Sequence, residues 1–105
     1  DALPIFQDLN EMINNPSTTE ESRKEASNMK LNIVKIQEKE LQIENLLSTK
    51  GYEEALVYIS DNKVNVVVNE AKLEKKDAAK IFDLVAEQAN VKYENIKLTN
   101  NNSNK

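Results

Sequence analysis

Two pairs of adjacent carboxylates, Glu20-Glu21 and Glu53-Glu54, are the residue types from which an acid–base site would be built in this chain. A hydrolase needs such a pair held in a cleft at a set separation, with one member desolvated so that it keeps its proton. Both pairs instead flank the ends of expected elements, among polar neighbours, where capping and solvation account for them. Asp61-Asn62 lacks the alternating oxygen ligands and the central glycine of a calcium loop. The chain has no histidine and no cysteine. That removes zinc–cysteine and zinc–histidine sites, thiolate nucleophiles and imidazole acid–base devices. No catalytic, cofactor-binding or metal-ligating residue is therefore assigned and the chain is read as no enzyme. A small ligand-binding or acid–base domain using surface carboxylates is the alternative.

Charge narrows the partners. The net charge of -4 argues against nucleic acid, whose phosphates attract a basic face. It argues more weakly against anionic membrane. KH-type RNA-binding modules share a helix–strand–strand–helix–strand order, but they clamp the backbone with a glycine-rich loop between helices. The single glycine of this chain, Gly51, lies elsewhere. No apolar run is long enough to span a bilayer. Missing cysteines leave the compartment open.

The elements follow from spacing. Residues 3–14 read as a helix opening at Pro4, with Ile5, Leu9 and Met12 beside Phe6 and Ile13 on its apolar face. Asn14-Asn15-Pro16 ends it. The chain begins at Asp1, and this helix is expected to continue from a membrane-anchor region upstream. Ser17 with Glu20 and Thr18 with Glu21 each fit a capping box. From there the pattern runs unbroken to Gly51. Ala26, Met29, Ile33, Ile36, Ile43 and Leu47 form its stripe, and Leu31, Val34, Leu41 and Leu46 widen it. Glu40 interrupts the stripe, so the helix is expected to bend there or to leave the body of the domain. A coiled-coil seam needs uninterrupted heptads. The favoured packing therefore puts the second half on a sheet and the first half on the opening helix.

Gly51 stands where a helix needs positive φ to close its last turn, with Tyr52 folding back onto Leu46 or Leu47. Its role is structural. Residues 54–60 and 63–69 are rich in β-branched and aromatic types, and Asp61-Asn62 is a two-residue hairpin turn. That turn pairs Ser60 with Lys63, Ile59 with Val64, Tyr58 with Asn65, Val57 with Val66 and Leu56 with Val67. One face, Ala55, Val57, Ile59, Val64, Val66 and Val68, is wholly apolar and belongs under helices. The other face is mixed, and it brings Leu56, Tyr58 and Val67 together. These three are the candidate partner interface, because tyrosine is enriched at interfaces and adjacent apolar groups call for a cover. Scattered apolar residues on a sheet surface are also ordinary, and both readings stand. An open sheet edge is a second docking route.

Residues 73–88 read as a helix with Ala78, Ile81, Phe82, Val85 and Ala89 inward. Residues 94–99 read as a third strand with Ile96 and Leu98 inward, and 100–105 as a disordered tail. The fold class is α+β: helix–strand–strand–helix–strand, a three-stranded sheet with helices on one face, preceded by an extra N-terminal helix. The first strand is apolar on both faces, so the third is expected beside it, antiparallel. A central second strand is the alternative.

One ordered set of residues carries a resemblance. It comprises Ile43-Glu44-Asn45-Leu46-Leu47, Lys50-Gly51-Tyr52-Glu53-Glu54-Ala55, Ile59-Ser60-Asp61 and Lys63-Val64-Asn65-Val66-Val67-Val68. Asn14-Asn15-Pro16 with Thr19-Glu20-Glu21 upstream, and Glu94-Asn95-Ile96-Lys97 downstream, belong to the same set. It resembles the extracytoplasmic domain of the stage III sporulation protein AH family of endospore-forming Firmicutes. The resemblance implies a single-pass membrane protein of the mother-cell membrane around the forespore, whose soluble domain lies in the intermembrane space. It implies binding of stage II sporulation protein Q there, forming a channel or zipper that supports engulfment. It further implies a ring-building-motif-like domain over 17–99, after an N-terminal helix over 1–16, with a homo-oligomeric ring possible in the assembly. The membrane is reached only through a transmembrane helix outside this sequence. No catalytic residue and no cofactor come with the family.

Overall fold

The structure, a computed structural model, describes residues 3–102. The elements are α1 (Leu3–Asn14), α2 (Glu20–Thr49), β1 (Leu56–Ser60), β2 (Lys63–Val68), α3 (Lys75–Ala89), a 3-10 turn (Tyr93–Asn95) and β3 (Ile96–Asn100). The chain divides into two compact units, Asp1–Gln37 and Glu38–Lys105, and α2 contributes to both.

In the first unit α1 turns Leu9 fully inward, with Phe6 and Ile13 half-buried. Ile5 and Met12, expected on the inner face, are exposed, as are Met29 and Leu31 of α2. The inward stripe of α1 is thus Phe6-Leu9-Ile13, and Ile5 and Met12 lie on its flank because only one side of so short a helix has a neighbour to bury against. The link is held by polar bonds. Asn15 Oδ1 accepts the Ser17 N–H at 2.9 Å, and Arg23 Nη2 donates to the carbonyls of Asn15 and Thr18 at 3.1 and 3.3 Å. These contacts hold the chain as far as residue 18, so neither expected capping box forms. Thr19 caps α2 instead, its Oγ1 accepting the Ser22 N–H at 3.1 Å, and Glu20 and Glu21 occupy the first turn. Lys30 Nζ donates to Asn10 Oδ1 at 2.7 Å, joining α2 to α1.

The second unit begins with α2 still helical. It does not break at Glu40. Ile43 and Leu47 are fully buried, whereas Leu41, read as widening the inner face, is exposed. At the end of α2 the Gly51 N–H donates to the Ser48 carbonyl and the Tyr52 N–H to the Leu47 carbonyl, both at 3.0 Å. This doubly bonded stop needs a positive φ at its penultimate residue, and Gly51 has φ 103°. Tyr52 is buried in the same cluster as Leu47. Asn90, at φ 55°, performs the same reversal after α3, with the Val91 N–H donating to the Ala86 carbonyl at 3.2 Å.

β1 and β2 pair antiparallel in the expected register, from Leu56 opposite Val67 to Ser60 opposite Lys63. Asp61 takes the positive φ (56°) that the first residue of such a turn requires. Val57, Val64, Val66 and Val68 are buried with Ala55, while Leu56, Tyr58, Ser60, Asn65 and Asn69 face solvent. Ile43 and Leu47 of α2 and Ile81 and Val85 of α3 complete the core over that one face.

The strand order is β1-β2-β3, so β2, not β1, is central. β3 runs parallel to β2, with Val64 opposite Ile96 and Val66 opposite Leu98. The expectation of β3 beside β1 fails: β3 returns through α3 to pair with β2, the strand it left, and β1's outer edge faces α2. β3 also reaches further than expected. Asn100 is its last residue, with Nδ2 donating to the Glu70 carbonyl at 2.9 Å and Oδ1 accepting the Glu70 N–H at 3.0 Å. The Asn101 N–H donates to Val68 at 2.7 Å. Of the expected tail, residues 103–105 lie outside the described residues.

Replacing Gly51 with alanine meets no atom within 4 Å, so its cost is conformational alone. Gly51→Ala is expected to destabilise the domain by about 1–2 kcal/mol through the positive φ. Urea unfolding followed by circular dichroism checks this; an unchanged midpoint contradicts it.

Candidate functional site

The outer face of the sheet is a grid set by register. Leu56 stands opposite Val67, and Val67 opposite Thr99; Tyr58 stands opposite Asn65, and Asn65 opposite Lys97. The apolar groups thus gather on the β1 side and polar ones on the β3 side. Leu56 is 48% exposed and Tyr58 53%, with Val67 half-buried between its neighbours. The residues singled out from sequence are therefore adjacent on one uncovered face.

β1 is an edge strand, yet its edge is filled. The Val57 N–H donates to Glu44 Oε2 at 2.8 Å and the Ile59 N–H to Glu40 Oε2 at 2.7 Å. Glu40, read from sequence as a break in an apolar stripe, points its carboxylate at the sheet. The docking route through an open edge therefore does not exist at the outward amides of β1 without displacing these two side chains. The sequence signal was present, two glutamates four residues apart on the sheet-facing half of α2. Its meaning depended on which strand would lie beneath them.

Elsewhere, polar groups do structural work. Glu20, Glu21, Glu53 and Glu54 are exposed. Glu54 Oε2 accepts from Asn69 Nδ2 at 2.6 Å, tying the start of β1 to the end of β2. Among the described residues, no group of acidic side chains is placed to hold a metal ion. A half-open cleft of about 490 Å³ lies between the end of α2 and α3, lined by Leu46, Tyr52, Lys80, Leu84 and Glu87 among others. Beside it, the Tyr52 hydroxyl donates to Asp77 Oδ1 at 2.8 Å, and Asp77 Oδ2 accepts the Glu74 N–H at 2.9 Å. One carboxylate thereby starts α3 and anchors the residue that ends α2.

The profile of the SpoIIIAH-like protein family matches residues 6–98, nearly the whole chain. The chain belongs to this family. It is similar to Stage III sporulation protein AH of Bacillus subtilis (strain 168), at 33% identity over 82 residues, which are 78% of this chain and 38% of that protein. It thus spans well under half the length of that relative. In three dimensions it is similar to a chain of the solved SpoIIQ–SpoIIIAH pore-forming complex, with a TM-score of 0.80 at 30% identity, over 96% of this chain and 87% of the other. The α+β fold, three helices and a three-stranded sheet, is that of the neighbour.

Shifted proton affinities often mark functional sites. In this SpoIIIAH-like domain the Tyr52–Asp77 contact gives them a structural cause. Burial, then the hydrogen bond to Asp77, pushes the Tyr52 phenol up to about 12. The Glu74 N–H, then the Tyr52 hydroxyl, holds the Asp77 carboxyl below its ordinary value. For Tyr52 the folded value lies above the unfolded one, so its stabilisation is full below the ordinary tyrosine range and is lost as pH rises through about 12. For Asp77 the sign reverses: its stabilisation is present above the ordinary carboxylate range and is lost as pH falls through the lowered value. Tyr52→Phe is expected to lower the urea midpoint at neutral pH, with the gap to wild type closing above pH 12. A midpoint series across pH checks both; a gap independent of pH contradicts the assignment.

Proposed function

We propose that this chain is a protein-interaction module of a sporulation membrane complex, which binds a SpoIIQ-type partner and has no enzymatic activity. Its docking surface is the outer sheet face carrying Leu56, Tyr58 and Val67. The observation that carries this reading is the pairing of Leu56 with Val67 beside Tyr58, with Leu56 and Tyr58 both exposed. Support for the partner comes from the likeness to a chain of the SpoIIQ–SpoIIIAH pore-forming complex. In this reading the domain works in the space between mother cell and forespore, held by a membrane anchor upstream, and contributes to a channel or zipper joining the two cells.

The physics of such a site is that of a small patch. Tyr58 offers a large, stiff side chain with a polar tip, which suits a surface wet when free and dry when bound. Lys97 and Thr99, across Asn65 and Val67, supply the polar rim. A ligand-binding or acid–base reading has no comparable observation behind it, since Glu20, Glu21, Glu53 and Glu54 are all exposed.

The test is a titration of a SpoIIQ ectodomain with wild type and with the Leu56→Thr/Tyr58→Thr/Val67→Thr variant. Threonine keeps strand preference while removing most of the apolar surface. Affinity is expected to fall at least about tenfold, or ~1.4 kcal/mol, with the circular dichroism spectrum unchanged. Equal affinity in a folded variant removes this face as the interface. Light scattering of the wild-type chain with and without SpoIIQ tests the partner itself, and no mass increase on mixing overturns it.

A further inference from the structure

We infer that Glu40 and Glu44 keep the β1 edge closed to a second copy of this chain, and that removing their carboxylates turns β1 into a self-pairing interface. The hairpin closes at Ser60 opposite Lys63, and strand alternation then turns Leu56, Tyr58 and Ser60 toward β2 and leaves the backbone groups of Val57 and Ile59 facing outward. An outward row of this kind, on a strand of sequence Leu-Val-Tyr-Ile-Ser without charge, proline or glycine, is a template for strand addition. The usual protections, a charged or proline-bearing strand, are missing from β1 itself. α2 supplies them instead. Its two carboxylates take the Val57 and Ile59 amides at 2.8 and 2.7 Å, the positions that an incoming strand's carbonyls would occupy.

The spacing explains why two glutamates suffice. Four residues of α-helix rise about 6 Å. Two residues of strand advance about 6.7 Å. A pair at i and i+4 on the helix therefore serves successive outward amides on a strand running the opposite way, 44 to 57 and 40 to 59. The mismatch stays below an ångström over one such step, and β1 has only these two outward amides before the turn at Asp61.

The occupant kept out is a second copy because the strand is self-complementary. Two β1 strands meeting antiparallel about Tyr58 exchange the Val57 and Ile59 bonds symmetrically, as a two-fold interface requires. Such a pairing also joins the two exposed Leu56–Tyr58 patches into one continuous apolar surface. The inference does not depend on the identity of the heterologous partner.

The experiment compares wild type, Glu40→Ala/Glu44→Ala and Glu40→Gln/Glu44→Gln by light scattering over a concentration series. Glutamine keeps a side-chain oxygen that accepts, so this variant is expected to match wild type, while the alanine variant's mass rises toward twice that of wild type. Amide exchange read by NMR locates the contact: Val57 and Ile59 are protected in wild type, exposed in the dilute alanine variant and protected again as it associates. A folded alanine variant with the mass of wild type overturns the proposal, as does equal association of both variants. If the alanine variant does not fold, the wild-type exchange rates decide: slow exchange at both amides upholds the closed edge, and rates like those of Asp61 and Asn62 overturn it.

Discussion

Two backbone amides at one edge of the sheet, those of Val57 and Ile59, donate to carboxylates of α2, and the strand order is the one that leaves this edge to the helix. A strand has two edges. With one of β1's edges given to β2 and the other closed by Glu44 and Glu40, β3 has a single place left, beside β2. It arrives through α3, and a strand returning through a helix runs parallel to the one it left. β2 thereby becomes the central strand, with Val64, Val66 and Val68 fully buried. A sheet that is covered on one face and closed at one edge presents its other face as the free surface. Leu56, Tyr58 and Val67 lie there.

The second constraint is the reversal at Gly51. A helix that stops with two reversed hydrogen bonds directs the following residue back over its last turn, and here that residue is Tyr52. Tyr52 then reaches Asp77, the carboxylate that also holds the first turn of α3. The end of one helix and the start of the other are thus bound through a single side chain on each. Among the described residues, the two groups with displaced proton affinity lie in this contact, so the displacement reflects anchoring. In this SpoIIIAH-like domain the Tyr52–Asp77 contact thus holds elements together.

The elements, the hairpin register, the glycine stop and the apolar inner face were all legible in the order of the residues. Each depends on near neighbours: a capping geometry, a two-residue turn, an alternation of period two. The candidate face was legible for the same reason, since a register once set assigns every side chain to a face. The tertiary structure alone decided the strand order, which of α1's apolar residues are buried, and what Glu40 and Glu44 do. A carboxylate in an apolar stripe looks like an interruption until the strand beneath it is known to present unpaired amides. Leu56 and Tyr58 made β1 look buried on both sides, although they line a free face. Pattern within one segment measures how apolar its sides are; only the placement of distant segments determines which side, and which edge, has something to meet.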